Sequence, residues 1–287
     1  MIETMTRVTG VSLPASEFRL HESFQHVEVD SVLKVLRGEL AAYRVRNYLS
    51  APACRQIVEN FWISPKREPR YGDGEDGVEG YLIGASHIEK TTQEYLEEAQ
   101  TFAEAVKNLY QGTTNPLDKF RNSLITEKGQ YIRVRPAEMN GLTAGNSKAV
   151  YWNNLGEFLL LPHEDFAQLS DPRQKGFEIQ QASRVMAVNF YPEVPENVGQ
   201  LKIWNIEPDD RIRAELNLTH SGFPYPAELL ADFPSLVIPV TTGDLCVING
   251  NLAHAVIRGN PEASSKSRLL ITCFMTFNTD NELIWWT

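Results

Sequence analysis

From about residue 130 onward, the sequence consists of short apolar runs separated by Gly, Pro and Asn residues. Val, Ile, Tyr, Phe and Trp are frequent in these runs, and such residues favour β-strands. The runs are QYIRVRP, AVYW, GEFLLLP, RVMAVNFYP, QLKIWNIEP, SLVIPV, DLCVIN and RLLITCFMTF. Roughly eight short strands after a helical segment predict a mainly β fold with a double-stranded β-helix, or jelly-roll, core.

The first part of the chain has the periodicity of helices. Ser50 is placed to cap a helix through APACRQIVENFW, with Pro52 in its first turn. Between Thr92 and Tyr110, apolar residues recur mostly at spacings of three and four, as on one face of a helix. We expect this part to be mostly helical.

No polar linker is found near residue 125. We therefore expect residues 1–287 to form a single domain, in which 1–125 supports the core and shapes a pocket and 126–287 forms the jelly roll. Two separate domains are the weaker alternative. A loop rich in Gly and acidic residues, Tyr71–Gly80, is either a connector or a lid over a site, and the sequence leaves both open.

Composition argues against several classes of partner. Lys and Arg number 27 against 37 Asp and Glu, so the formal net charge is −10. An acidic surface repels phosphate backbones and anionic lipid, which argues against nucleic acid and membrane and favours a small-molecule partner. The three cysteines are sparse, which argues against a disulfide framework and a thiolate zinc site. We expect a cytoplasmic protein, because the chain shows neither a signal pattern nor an apolar stretch of bilayer length.

One of the six histidines belongs to an H-x-D motif, formed by His163 and Asp165 in LLLPHEDFAQ. On an extended backbone residues i and i+2 project from the same face, so both side chains can reach one ion. Glu164 projects to the other face and is a poor ligand candidate. Alone, the motif is weak, because it arises often by chance.

A second histidine strengthens the case for a metal site. His254 lies 91 residues after His163 and follows a strand that a Gly-Asp turn begins. Two imidazoles and a carboxylate form the facial triad that leaves adjacent positions open on Fe(II). A zinc hydrolase uses the same ligand types, but it leaves Arg268, at the start of an apolar strand, unexplained. The distal carboxylate of 2-oxoglutarate would satisfy this cation, which is costly to bury without an anion.

These motifs resemble those of the jelly-roll Fe(II)- and 2-oxoglutarate-dependent dioxygenases. From about Gln130 to Phe277, the chain is similar to the group that holds N-acyl amino acid hydroxylases and stand-alone alkaloid and amino acid halogenases. The resemblance implies Fe(II) bound by His163, Asp165 and His254, with 2-oxoglutarate and O2 as co-substrates. The halogenases carry Gly or Ala where this chain has Asp165, which leaves room for chloride. The resemblance therefore implies hydroxylation of an unactivated C–H bond in a small metabolite, such as a free or N-modified amino acid.

Other residues are weaker candidates. Thr272, four residues beyond Arg268, is expected to contact the co-substrate or to be an ordinary core threonine. Tyr131 is a second candidate co-substrate contact, since it shares one face of QYIRVRP with Arg133; the alternative is that this face meets solvent. Candidate substrate contacts are Arg133, Phe166, Asn189 and Tyr191. Trp152 is expected in the core.

Several functional alternatives stay open at this point. The same iron centre can desaturate, epimerise or cyclise a substrate, because the outcome depends on where the substrate lies. A non-catalytic jelly-roll binding protein is a further alternative, against which the intact ligand set and Arg268 count. The identity of the substrate and the oligomeric state cannot be derived from the sequence.

Overall fold

The structure is a computed structural model that describes residues 7–70, 79–126, 132–153, 157–196, 198–259 and 268–287. Tyr131 and residues 71–78 of the Gly-rich acidic loop lie outside the described residues. The predictions made for them are therefore not tested.

The described residues form many short strands and a few helices. The strands are β1 (Gly10–Val11), β2 (Leu20–Phe24), β3 (Ala42–Arg46), β4 (Glu68–Pro69), β5 (Glu79–Ile83), β6 (Val134–Pro136), β7 (Glu138–Met139), β8 (Leu142–Thr143), β9 (Lys148–Asn153), β10 (Phe158–His163), β11 (Met186–Glu193), β12 (Val198–Trp204), β13 (Glu207–Pro208), β14 (Ser235–Ile238), β15 (Leu245–Asn249), β16 (His254–Gly259), β17 (Arg268–Phe277) and β18 (Leu283–Trp286). The helices are α1 (Val29–Arg37), α2 (Ala51–Ile63), α3 (Thr92–Asn108), α4 (Pro116–Thr126) and α5 (Asp210–Glu215). Short 3-10 helices span Ala167–Ser170, Pro172–Gln174, Glu178–Gln181 and Ala227–Leu230.

Two sheets dominate the fold. The major sheet has the order β2-β3-β15-β11-β17-β9-β5-β4, and β18 and β6 continue it beside β17. The minor sheet has the order β10-β16-β12-β14. Every strand pair in the minor sheet is antiparallel, whereas the pairs β2–β3 and β18–β6 in the major sheet are parallel. The chain is thus sheet-rich, with a helical layer.

The first part of the chain contributes strands as well as helices. Strands β2 and β3 extend the major sheet at one edge, and β5 and β4 extend it at the other. The prediction of a mostly helical support segment is therefore incomplete. The segments LHESF and EGYLI are short and partly polar, so they lack the apolar alternation that identifies a strand in sequence.

Alternation along β11 shows how the major sheet divides the core. Val188 and Phe190 pack in the apolar cluster that includes Ile57 and Phe61 of α2. The intervening Ala187 belongs to a second cluster, which contains residues of the minor sheet. Because successive strand residues face opposite sides, one face of the major sheet supports the helices and the other encloses the space between the sheets.

The helix boundaries agree closely with the predictions, but one predicted cap does not form. α3 begins after Thr91, whose hydroxyl accepts from the Glu94 backbone N–H while the Glu94 carboxylate accepts from the Thr91 N–H. Ser50 precedes α2 in an extended conformation without a side-chain capping bond. None of the described helices is long and apolar enough to cross a membrane.

Candidate metal centre and adjoining cavity

His163, Asp165 and His254 converge at one end of the minor sheet. His163 ends β10 and His254 begins β16, and the two are partners across this antiparallel pair. Asp165 lies two residues past the end of β10. His163 Nε2 is 3.9 Å from Asp165 Oδ1, and His254 Nε2 is 3.5 Å from Asp165 Oδ2. One ligand atom from each residue fits within 4.8 Å of the others, close enough to share a metal ion.

Backbone carbonyls fix the orientation of both imidazoles. Nδ1 of His163 lies 2.8 Å from the carbonyl oxygen of Leu161, and Nδ1 of His254 lies 2.8 Å from that of Leu252. A carbonyl can only accept, so each Nδ1 carries the proton and the neutral ring presents the lone pair of Nε2. Both lone pairs are then available to a cation beside Asp165.

The cluster is buried, so leaving its carboxylate without a cation is costly in free energy. Burial lowers the pKa of His163 and of His254 to about 4, so both rings are neutral at pH 7. Burial raises the pKa of Asp165 to about 6, and its Oδ2 has no hydrogen-bond partner among the described residues. A divalent cation would pair this carboxylate, and two imidazoles with one carboxylate suit Fe(II).

Neighbouring residues hold Asp165 in place and turn Glu164 away from the cluster. The Asp165 backbone N–H donates to the carbonyl of Gly250 at 2.7 Å. The carboxylate of Glu164 accepts from Arg213 Nε at 2.9 Å and from the backbone N–H groups of Phe166 and Ala167. As the sequence pattern indicated, Glu164 does not belong to the cluster of candidate metal ligands.

Gly250→Ala is expected to weaken Fe(II) binding by about 10- to 100-fold, the usual cost of disturbing the support of a metal ligand. A Cβ at Gly250 would lie 2.9 Å from Asp165 Oδ2, so the carboxylate would have to move. Anaerobic titration with Fe(II) measures the effect. Gly145→Ala serves as control, because Gly145 also lacks a positive φ and a Cβ there would approach Thr287 Oγ1 at 3.0 Å, outside the cavity lining. An unchanged Kd for Gly250→Ala would show that Gly250 does not determine the position of the Asp165 carboxylate.

A cavity of about 580 Å³ adjoins the cluster. The inner face of the major sheet supplies one wall, with Lys148, Val150, Trp152, Ala187, Asn189, Ile248, Arg268, Leu270, Thr272 and Phe274. His163, Leu201, His254 and Val256 of the minor sheet line the opposite wall. A mostly apolar cleft of this size with a few polar groups is typical of a small-molecule site.

Arg268 is a buried cation on the wall of this cavity. It is 1% exposed, and burial lowers the pKa of its guanidinium. Its Nη1 donates to the carbonyl of Gly199 at 2.7 Å, and the guanidinium carbon lies 5.2 Å from the centre of the Tyr191 ring. No carboxylate of the described residues forms an ion pair with Arg268, and its Nε has no hydrogen-bond partner there. The side chain is therefore suited to binding an anion from solution.

The weaker candidate residues are divided between cavity and surroundings. Thr272 and Asn189 both line the cavity, and the Thr272 hydroxyl donates to Asn189 Oδ1 at 2.7 Å. Tyr191 is fully buried against Arg268 but is not part of the lining. Phe166 lies outside the lining and packs near the guanidinium of Arg213, at 5.5 Å.

The structure contradicts the placement of Arg133 in the pocket. Its side chain is 73% exposed and pairs with Glu282 at 2.6 Å. It precedes the short strand β6, which pairs only with β18 among the described strands, so this part of the chain lies at the margin of the sheet. The alternation in QYIRVRP identified two faces, but Arg133 on the polar face meets solvent and not substrate.

Several cavity residues were missed or misread in the sequence. Lys148 lies at the start of β9, one residue before the run AVYW that was recognised as a strand. Trp152 is buried in the second core cluster, as expected, and it also lines the cavity. His87 is fully buried and also lines it, with Nδ1 bonded to the carbonyl of Thr287 at 3.0 Å. The ring of Phe223 lies 6.0 Å from that of His163 and forms part of the rim.

Comparisons with known proteins agree with this geometry. Residues 17–287 match the family described as carrier-protein-independent halogenase WelO5. The chain is also 31% identical to L-isoleucine 3(1)-dioxygenase of Pantoea ananatis (strain AJ13355) over 297 residues, which cover 99% of this chain and 97% of that protein.

Solved structures resemble the fold at much lower identity. An N-substituted L-amino acid dioxygenase from Burkholderia ambifaria AMMD aligns with a TM-score of 0.55 and 12% identity, over 90% of this chain and 91% of that one. The same dioxygenase in complex with alpha-KG aligns with a TM-score of 0.51 and 12% identity, over the same shares of the two chains. The match over residues 17–287 and the long alignment with the isoleucine enzyme show that the chain belongs to the family of the carrier-protein-independent halogenase WelO5 and is an Fe(II)- and 2-oxoglutarate-dependent dioxygenase.

Proposed function

We propose that this enzyme hydroxylates an unactivated C–H bond of a free amino acid with an apolar side chain. His163, Asp165 and His254 hold the iron, and Arg268 binds the distal carboxylate of 2-oxoglutarate. The observation that carries the proposal is the position of Asp165, a carboxylate in contact range of both histidines beside an apolar cavity. The isoleucine dioxygenase relative supports the choice of substrate class.

The carboxylate of Asp165 favours hydroxylation over halogenation. A halogenase of this family needs an open coordination position for chloride, and a small residue at this point of the motif provides it. Here Asp165 Oδ2 lies 3.5 Å from His254 Nε2, so the carboxylate would fill that position on a bound ion. The carboxylate also adds a negative charge that repels a halide. Membership of a family named for a halogenase is therefore compatible with a hydroxylase.

The chain's own residues position and shield the reaction. The two Nε2 atoms and the Asp165 carboxylate would hold the ion, and the adjoining cavity would leave room for its other ligands. Arg268 fixes the far end of the co-substrate, while Val150, Leu201 and Leu270 keep the space apolar and exclude water. When bound, iron and 2-oxoglutarate supply the O2-dependent oxidation of the C–H bond. The 2-oxoglutarate is converted to succinate and CO2.

We also propose that the two sheets are the halves of a jelly roll within a single domain. The cluster that contains Ala187 and Val256 joins the major sheet to the minor sheet. Strands from before residue 125, β3 and β5, are integral to the major sheet, which supports one domain over two. A truncation that removes residues 1–125 is therefore expected to leave the rest unable to fold.

Activity is expected to require Fe(II), 2-oxoglutarate and O2 together. A panel of free amino acids and their N-acyl derivatives, with Fe(II), ascorbate and air, should identify a substrate that drives succinate release and gains one oxygen atom. L-Isoleucine is the first substrate to test. A chelator should abolish turnover and added Fe(II) should restore it, whereas Zn(II) should inhibit, because it occupies the site without redox chemistry.

Two results would contradict the proposal. Full activity of metal-free enzyme reloaded with Zn(II) alone would indicate hydrolysis instead of oxidation. Release of succinate with no amino acid or N-acyl amino acid oxidised would show that the substrate belongs to another class.

A further inference from the structure

Lys148 is a second buried cation in the cavity, and the metal centre does not use it. It is 5% exposed and lines the cavity at the start of β9. Its ammonium group donates to Ser86 Oγ at 3.1 Å and lies 5.3 Å from the ring of Phe274. Within the described parts of the chain, no carboxylate forms an ion pair with it. A buried lysine in this state is costly unless an anion joins it.

The two cations lie at different places along the same wall. Lys148 is the cross-strand partner of Thr272, and Trp152 is the partner of Arg268. Partners in register share a face, so both side chains belong to the inner face of the major sheet. Arg268 and the Thr272 partner of Lys148 are four positions apart along β17, which is about 13 Å. One bound 2-oxoglutarate has a single distal carboxylate. Arg268 is sufficient to bind this group, so Lys148 is not needed for it.

Lys148 is also close to the metal centre. The charge of Asp165 favours the protonated form of Lys148, and Lys148 in turn lowers the pKa of Asp165, although the two do not form an ion pair. Burial lowers the pKa of Lys148 to about 7. The attraction of the Asp165 carboxylate does not compensate for the hydration that the buried ammonium group loses. An anion beside the ammonium group would restore its charge.

A hydrogen-bond acceptor, the side chain of Gln174, lines the same part of the cavity wall. Nε2 of Gln174 donates to the backbone carbonyl of His87 at 2.6 Å, and Lys148 donates to Ser86, the preceding residue. Gln174 is 1% exposed and its Oε1 has no donor among the described residues. The Ser86–His87 segment thus brings a cationic donor and an unpaired acceptor together, which matches the carboxylate and ammonium groups of one amino acid.

We propose that Lys148 binds the α-carboxylate of the amino acid substrate and thereby sets how far its side chain extends toward the metal centre. The proposal rests on the proposed function. Gln174 Oε1 accepts from the ammonium group, and Val150, Leu270 and Phe274 contact the apolar side chain. This arrangement separates the enzyme's two anionic ligands, with 2-oxoglutarate at Arg268 and substrate at Lys148.

The first test uses the wild-type enzyme and compares L-isoleucine with L-isoleucinamide, which lacks the negative charge. We expect kcat/KM to be at least about 30-fold higher for the acid, the usual effect of losing one partner of a buried charge pair. If another amino acid is the better substrate in the panel, that acid and its amide are compared. Equal turnover of acid and amide would overturn the inference while leaving the proposed function intact.

The second test uses Lys148→Met. It should lower kcat/KM for the acid to about that of the amide, leave the amide unchanged, and leave the Kd of 2-oxoglutarate unchanged. Lys148→Arg should recover part of the preference for the acid. Lys202→Met is the matched control, because Lys202 is a strand lysine that does not line the cavity. Circular dichroism and the thermal midpoint show whether each variant is folded.

The outcomes separate the two proposals. If Lys148→Met weakens the binding of 2-oxoglutarate and leaves the preference for the acid substrate intact, Lys148 binds the co-substrate and the inference fails. If Lys148→Met does not fold, the comparison of acid with amide in wild-type enzyme still decides. If wild-type enzyme oxidises no amino acid at all, the proposed function fails and the inference fails with it.

Discussion

Asp165→Gly is expected to lower hydroxylation by at least about 100-fold, because removing a direct ligand costs more than disturbing a supporting residue, which typically costs 10- to 100-fold. Loss of the carboxylate leaves the two imidazoles to hold Fe(II), so the Kd for iron should rise. The vacated position should accept chloride or azide. Anaerobic absorption spectra of the Fe(II) enzyme with 2-oxoglutarate, recorded with and without these anions, measure that binding.

Halogenated product from Asp165→Gly should be scarce, since the outcome also depends on where the substrate lies relative to the halide. The clear readout is therefore anion binding and iron affinity. Asp232→Gly, at an exposed acid, is the control for general effects of the substitution. Wild-type turnover and an unchanged spectrum in Asp165→Gly would remove Asp165 from the ligand set, and Glu164 would then be tested in its place.

The metal centre could be predicted because its geometry depends on few tertiary details. His163 and Asp165 are two residues apart, and alternation on an extended chain predicts that both can reach one ion, although Asp165 lies just past the end of β10 and is held there by Gly250. His254 was included because it follows a strand that a Gly-Asp turn begins and because it completes the ligand types of a facial triad. The structure places His254 at the start of β16, directly across from His163, a pairing that the sequence did not predict.

The cavity wall could be predicted only in part, because alternation defines two faces of a strand but not which one is inside. Asn189 lines the cavity, whereas Arg133 meets solvent, although both showed the same alternating pattern. Lys148 was missed because a lysine at the start of an apolar run reads as the exposed end of a strand. Its burial follows from the pairing of β9 between β5 and β17.

Arg268→Ala is expected to raise the Kd of 2-oxoglutarate by at least about tenfold and to leave iron binding nearly intact. Removing one partner of a buried charge pair typically costs ~2–5 kcal/mol, or about 30- to 3000-fold in affinity. Water entering the space left by the side chain would reduce that loss, so tenfold is the lower limit. Titration of the Fe(II) enzyme with 2-oxoglutarate under nitrogen measures it.

Arg258→Ala is the appropriate control, because Arg258 lies on β16 outside the cavity lining. The two buried cations of the cavity lining, Arg268 and Lys148, then give opposite patterns. Arg268→Ala should weaken the binding of 2-oxoglutarate and preserve the preference for the acid substrate over its amide. Lys148→Met should leave the binding of 2-oxoglutarate unchanged and abolish that preference.

Gly199 makes the prediction for Arg268 more specific. Its carbonyl accepts from Arg268, its φ is +71°, and a Cβ there would lie 2.7 Å from Arg268 Cδ. The guanidinium is thus held by backbone that tolerates no side chain at this point, so it is oriented before the co-substrate binds. Preorganisation of this kind reduces the entropy lost on binding. An unchanged 2-oxoglutarate Kd in Arg268→Ala would contradict this role and move the anchor to another cation, with Lys148, which also lines the cavity, the first to test.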